Sequence, residues 1–290
     1  MRSLLFVPAD SERKLEKALH AGADALILDL EDSVASSRKA EARKIAADFL
    51  ATRAGPALLY IRVNALGTGL TDEDLAAVMP ARPDGIMLPK AEGGKDATVL
   101  SAKLRVHEAE NGLEDGATRI LPIITETAGA VFLAGTFAGA TERLSGLTWG
   151  AEDLSADIGA RATRDEAGRY TGAFSLARSI TLLAAGAADV PAIDTVFPAF
   201  RDMEGFCRDC AEAERDGFTA KMAIHPAQVP IINAAFTPSE EAIDHARRVV
   251  AAFGETGGSG VASVDGEMVD RPHLVRAERI LARARLAGLA

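Results

Sequence analysis

The sequence predicts a (β/α)8 TIM barrel followed by a C-terminal helical extension that forms a lid. Eight short, β-rich apolar runs alternate with longer helical patterns over about 225 residues, close to the usual size of such a barrel. The runs are almost continuously apolar, as strands buried on both faces of a parallel sheet are. Helical pattern then remains after the eighth run, surplus to the barrel. A doubly wound open sheet is the alternative, but eight alternating units favour closure. The barrel is placed at residues 1–236 and the extension at residues 237–290.

In chain order, strands are expected at residues 3–7, 25–30, 58–63, 85–88, 120–125, 146–149, 192–197 and 221–224. Helical periodicity fills the gaps at residues 12–20, 38–52, 72–78, 95–109, 131–138, 171–185 and 202–215. Asp10 and Ser11 are N-cap candidates for the first helix, and Gly22 is a C′ candidate. Beyond the eighth strand come a helix at 239–253, a Gly-rich link at 254–260, a short extended piece and a basic helix at 273–286.

Composition bounds the function. A formal charge of −10, from 32 basic and 42 acidic residues, disfavours a nucleic-acid or anionic-membrane surface. Hydrophobic residues make up 48% of the 290, enough for a large core. No run approaches the ~18 apolar residues of a membrane span, and the N-terminal apolar stretch is too short for a signal peptide. The expected location is the cytoplasm. Cys207 and Cys210, the two cysteines, have redox-motif spacing but fall inside a helical pattern instead of opening a helix after a strand. They read as ordinary helix cysteines. Gly67-Thr68-Gly69 reads as a turn, and Glu108, Glu110, Glu114 and Asp115 as a solvated helix end and loop.

Active sites of such barrels lie at the C-terminal ends of the strands. Strand two ends in Asp29-Leu30-Glu31-Asp32, strand three in Arg62-Val63-Asn64, strand four in Pro89-Lys90, strand five in Glu126-Thr127 and strand six in Glu152-Asp153. Strand eight ends in His225-Pro226. Each has a structural explanation alone, but together these charges would repel or lose solvation without a ligand. Glu126 with one acid from strand six makes a hard-cation site, suited to Mg²⁺ or Mn²⁺ with water completing the shell. Neighbouring residues of a continuing strand face opposite ways, so Glu152 and Asp153 cannot both point inward. Glu31 and Asp29 are candidates to hold metal-bound waters, and Arg62 and Lys90 supply positive charge for an anionic substrate or an oxyanion.

Several motifs resemble the citrate lyase β-subunit-like group of the HpcH/HpaI aldolase superfamily. They are Arg2-Ser3-Leu4-Leu5-Phe6-Val7-Pro8, Leu28-Asp29-Leu30-Glu31-Asp32-Ser33-Val34, Ile61-Arg62-Val63-Asn64 and Leu88-Pro89-Lys90. Further along they are Gly150-Ala151-Glu152-Asp153-Leu154, Ala223-Ile224-His225-Pro226-Ala227-Gln228 and Val264-Asp265-Gly266-Glu267-Met268-Val269-Asp270. The resemblance spans nearly the whole chain and is specific for family more than for substrate.

It implies a Mg²⁺-dependent lyase (Mn²⁺ as a possible substitute) that makes or breaks C–C bonds in acyl-CoA thioesters of the citramalyl-, malyl- or citryl-CoA type. By motif matching, Glu126 and Asp153 are the metal ligands, Arg62 and Glu126 contact substrate, and Arg62 and Asp270 are catalytic. Asp270 matches a lid aspartate that reaches a neighbouring subunit's site, which implies a homo-oligomer, a trimer in the family. Gly257-Gly258 is the candidate hinge, and a helix N-cap is the plainer reading of Asp270. One departure stands out: relatives commonly read Glu-Thr-Ala-Arg-Gly where this chain has Glu126-Thr127-Ala128-Gly129-Ala130. The rival readings are a subunit of a citrate lyase complex acting on a carrier-bound citryl thioester, and a non-catalytic metal- and CoA-binding scaffold.

Overall fold

Eight parallel strands line up in the order β5-β4-β3-β2-β1-β8-β7-β6. They are β1 Ser3–Pro8, β2 Ala25–Asp29, β3 Leu58–Arg62, β4 Gly85–Leu88, β5 Arg119–Pro122, β6 Leu147–Thr148, β7 Ala192–Asp194 and β8 Ala220–Ala223. Parallel bridges Ile120↔Leu144 and Ile123↔Thr148 join the two ends and close the ring. The computed structural model describes residues 1–52, 55–255 and 260–289. The expected (β/α)8 barrel is therefore the fold observed. Every expected strand is present, with most C-terminal ends shorter than the apolar runs suggest.

The chain divides into two units, Met1–Asn233 and Ala234–Ala290. The first is the barrel. In the second, the helices Glu240–Glu255 and Arg271–Leu286 pack around a core of Ala246, Val249, Val264, Val269 and Ala277, with an antiparallel hairpin, Val261–Val264 and Glu267–Asp270, between them. The expected hinge, Gly257-Gly258, lies outside the described residues.

Side-chain alternation decides what enters the barrel. Leu4, Ala25, Ile27, Tyr60, Leu121, Ile123, Ile193, Ala220 and Met222 form one buried cluster. Gly85 lets the Tyr60 ring fill the centre, since a Cβ at residue 85 would stand 2.3 Å from Tyr60 Cε1. Stepping two residues along the same faces gives Phe6, Asp29, Arg62 and Thr195. The site is thus the top layer of the barrel interior, charged where the lower layers are apolar.

Lys221 and Asp194 are each fully buried, on the strand faces opposite that interior. Lys221 Nζ lies 2.8 Å from both Asp194 Oδ2 and Asp209 Oδ2, joining β7 and β8 to the helix Met203–Asp216. Arg178, from the helix Gly172–Ala187, approaches Asp194 at 3.4 Å. Asp194 Oδ1 also accepts the indole N–H of Trp149 at 2.7 Å. The positive neighbours hold the Asp194 carboxyl below the usual carboxylate range despite its burial.

The structure adjusts four local expectations. Ser11 occupies the N-cap of the helix Glu12–Ala18 without a side-chain cap bond, while Asp10 pairs with Arg38 at 2.6 Å. Gly22 is left-handed (φ +72°) but lies beyond the C-cap residue Leu19. Glu108 is not solvated: it is 1% exposed, because Arg143 reaches across from the segment before β6 and grips both its oxygens at 2.6 Å. The expected helix at 131–138 starts earlier, at Ala128, because Thr127 Oγ1 accepts the Ala130 N–H as an N-cap.

Replacing Lys221 with Met leaves two buried carboxylates without their shared cation. Breaking such a cluster on one side costs about 3–5 kcal/mol. Urea denaturation of Lys221→Met should show a loss of that order; a loss below about 1 kcal/mol would contradict the role assigned to the cluster.

Candidate active site at the barrel mouth

Asp29 and Arg62 are register partners on β2 and β3. Arg62 donates to Asp29 through Nε (2.7 Å) and Nη2 (2.6 Å). Asp29 also accepts the N–H groups of Glu31 and Ser33. Its carboxylate is therefore fully engaged, which corrects the expectation that it holds metal-bound water. Asp29 is 1% exposed, and Arg62 with these N–H groups outweighs burial to lower its pKa. Arg62 Nη1 also lies 3.0 Å from Glu31 Oε2, an ion pair whose angle leaves that oxygen without a hydrogen bond. The Phe6 ring lies 4.9 Å from the guanidinium carbon.

Lys90 follows β4 with a left-handed backbone, φ +50°. A non-glycine residue there is strained, and such strain concentrates at functional sites. Both ends of the residue are used. Its N–H donates to Glu126 Oε2, and its ammonium sits 2.5 Å from Glu31 Oε1 and 3.3 Å from both Asp32 and Asp153. The loop after β2 that carries Glu31 is tied down by Lys39, whose ammonium donates to the carbonyls of Leu30 and Glu31 and to Asn64 Oδ1. Asn64 bonds the buried Asp74, which Arg43 pairs at 2.7 Å. Lys39, Asp74 and Arg43 were not singled out by the sequence reading. Strand-end position flags only residues near the rim, and these three lie on helices.

Glu126 follows β5 and is 2% exposed. Burial, with the nearby charges of Asp153 and Glu31, pushes its pKa up to about 8. Gly150 makes room for it: a Cβ there would stand 2.7 Å from Glu126 Cγ. Strand β6 stops at Thr148, and the helix Ala151–Ile158 starts before the acid pair. Glu152 and Asp153 thus occupy a helical first turn, where carboxylates are favoured by the helix dipole. The alternation argument does not apply to them, and both line the cleft.

That cleft, of about 680 Å³ including its open mouth, is bounded by Arg62, Glu126, Glu152 and Asp153 on its polar side. Among the described residues no three His, Cys, Asp or Glu side chains form a complete metal cage. Two carboxylates with water completing the shell are the arrangement Mg²⁺ favours, and Glu126 and Asp153 are the pair in this cleft that could hold it. His225 stacks on the Phe200 ring and accepts the Ala227 N–H, a capping role. Cys207 and Cys210 are free thiols on the helix Met203–Asp216, with burial pushing Cys210 up to about 12. Gly69 is the left-handed end of a short 3-10 turn, Leu66–Thr68. In the second unit, Asp270 sits at the N-cap of Arg271–Leu286, its carboxylate 2.5 Å from His273 Nδ1.

Without metal, the raised pKa of Glu126 has a defined sign. The folded state keeps the proton up to about pH 8, while the unfolded chain loses it near 4.5, so this group lowers stability as pH rises between those values. In chelator-treated protein at pH 8, Glu126→Gln should be more stable than wild type by about 2 kcal/mol or more, with the gain fading toward pH 4.5. Equal stability at pH 8 would contradict the burial of an uncompensated carboxyl.

Comparison with known proteins accords with this geometry. Residues 2–226 match the family model described as HpcH/HpaI aldolase/citrate lyase. A (3S)-malyl-CoA thioesterase of Cereibacter sphaeroides is 37% identical over 288 residues, covering 98% of this chain and 94% of the relative. The citrate lyase subunit beta of Leuconostoc mesenteroides subsp. cremoris is 35% identical over 285 residues, covering 97% and 92%. The crystal structure of protein CitE from Mycobacterium tuberculosis in complex with magnesium, acetoacetate and coenzyme A superposes with a TM-score of 0.76 at 35% identity, covering 98% of both chains. The chain belongs to the HpcH/HpaI aldolase/citrate lyase family.

Proposed function

We propose that this protein is a Mg²⁺-dependent carbon–carbon lyase that cleaves a 3-hydroxyacyl-CoA thioester into a 2-oxo acid and acetyl-CoA by retro-Claisen chemistry. The observation that carries the reading is the convergence of Glu126, Asp153 and Arg62 on one cleft. The magnesium and coenzyme A bound by the mycobacterial relative support the choice of cofactor and substrate class. Glu126 and Asp153 would hold the metal, which would supply polarisation of the substrate's hydroxyl and carboxylate oxygens.

Arg62 faces the same cleft with its guanidinium fixed by Asp29 and Glu31. In this reading it donates to the thioester oxygen as that oxygen gains charge. Asp270 of an adjacent copy is the base for the hydroxyl proton, with His273 orienting its carboxylate. The bond between the hydroxyl carbon and the thioester's α-carbon breaks, its electron pair passes into the enolate, and protonation at carbon gives the acetyl thioester. An inter-subunit base requires an oligomer, for which the trimer is the reading the family resemblance supports.

The name of the Cereibacter relative favours a second reading, hydrolysis of a 3-hydroxyacyl-CoA thioester. The carrier-bound citryl reading is likewise supported by the Leuconostoc relative. Following 2-oxo acid and free thiol in parallel separates lyase from thioesterase, and free-CoA against carrier-bound substrates separates the third.

Arg62→Ala would leave Asp29 buried without its partner, so Arg62→Lys is the sharper test. It keeps the charge and loses the fork that binds two oxygens. Turnover of the thioester should fall by about 10²–10³-fold, the usual cost of an oxyanion donor, with thermal stability much closer to wild type than in Arg62→Ala. Turnover within a few-fold of wild type would remove Arg62 from the chemistry.

A further inference from the structure

The reaction proposed above leaves one cation of the mouth, Lys90, without a role. Three carboxylates surround its ammonium: Glu31 Oε1 at 2.5 Å, Asp32 Oδ2 at 3.3 Å and Asp153 Oδ1 at 3.3 Å. An ammonium carries three N–H groups. These neighbours match them in number and leave none for an anionic substrate.

The backbone of Lys90 is equally specific. Among the described residues, four that are not glycine have positive φ: Arg82, Lys90, Asp189 and Asp265. Arg82 and Asp189 lie in turns leading into β4 and β7, and Asp265 lies in the hairpin turn of the second unit. Of the four, Lys90 alone stands at the C-terminal end of a barrel strand. Glycine would take its φ of +50° without strain and would still offer an N–H to Glu126 Oε2. What lysine adds at this position is the ammonium, which lands beside Asp153.

We infer that Lys90 is a positioning residue for the carboxylate pair, an internal cation that holds Asp153 and Glu31 together without metal and opposes Mg²⁺ with its own charge. This rests on the reading that Glu126 and Asp153 are the metal ligands. Its N–H fixes one ligand and its ammonium engages the other, so the pair is arranged before any metal arrives. The arrangement has a cost for binding, because a dication held by Asp153 meets a like charge already at that carboxylate. Two unit charges ~4 Å apart shift an equilibrium constant by about fivefold even in water-like surroundings, and a dication feels more. Removing the ammonium also frees Glu31 and Asp32 to add their negative field. Both effects tighten Mg²⁺ binding. A lysine that served only as a structural brace would act in the opposite direction, since its loss would displace the ligands and weaken binding.

The test uses chelator-treated, full-length wild type beside Lys90→Met and Lys90→Gly. Met keeps the length of the side chain without its charge, and Gly keeps the N–H and the backbone conformation. Each protein is titrated with Mg²⁺ by calorimetry, and the metal-free proteins are unfolded in urea. The expected result is an Mg²⁺ Kd about threefold or more tighter in both variants, with a lower urea midpoint for metal-free Lys90→Met than for wild type. Binding tightened by less than that or weakened in either variant, or an unchanged midpoint in Lys90→Met, overturns the inference and leaves the metal pair standing. No Mg²⁺ binding by wild type removes the metal pair and the inference with it.

Discussion

The ion pair between Asp29 and Arg62 is the constraint from which the rest of the site follows. It is made by two adjacent strands in register, at the layer where the barrel interior turns from apolar to charged. Because Asp29 takes Arg62 in a two-point grip, the remaining guanidinium nitrogen faces Glu31, and Glu31 in turn takes the Lys90 ammonium. Arg62 is thereby committed to carboxylates on the β2 side of the mouth, and Lys90 is shared between that side and Asp153. Glu126 and Asp153, on the β5 and β6 side, are left with fewer positive partners, and Glu126 answers by holding its proton. Burial makes ionising Glu126 costly, and a dication bound there would lower that cost.

Lys90 links the two sides. Its left-handed backbone turns its N–H toward Glu126 while its side chain crosses to Asp153 and Glu31. One residue so braces both proposed metal ligands, through different atoms. A second brace lies outside the barrel wall, where the Lys221–Asp194 pair anchors the Trp149 indole and so fixes part of the cleft's apolar surface. The arrangement couples stability and function. The buried charges that are costly to place are also those that orient the groups lining the cleft.

Much of this was legible in the sequence, for physical reasons that differ by residue. The eight strands were visible because strands buried on both faces must be apolar throughout, and the rim residues because barrel topology collects strand ends at one mouth. Other features were hidden by the partner being distant. Glu108 shares a helix face with Leu100 and Leu104, a sign of burial, but its neutraliser Arg143 comes from a segment with no local cue. Lys221 stands at the head of an apolar run with no local partner, and Asp194 is matched to it only once β7 and β8 lie side by side. The acid pair at residues 152–153 was misread in geometry because the chain leaves the sheet at Thr148, before the apolar run ends. The role of Gly150 lies in the space it leaves empty, which no motif reveals.

The proposed site requires that Glu126 and Asp153 together bind one divalent cation at the barrel mouth. Calorimetric titration of metal-free protein with Mg²⁺, beside Glu126→Gln and Asp153→Asn, tests it most directly. The prediction is one Mg²⁺ per chain in wild type, with affinity lowered by about tenfold or more in each variant, as expected when a charged ligand becomes neutral. Wild-type affinity in either variant, or no Mg²⁺ binding to the native protein, would remove the metal from these two carboxylates.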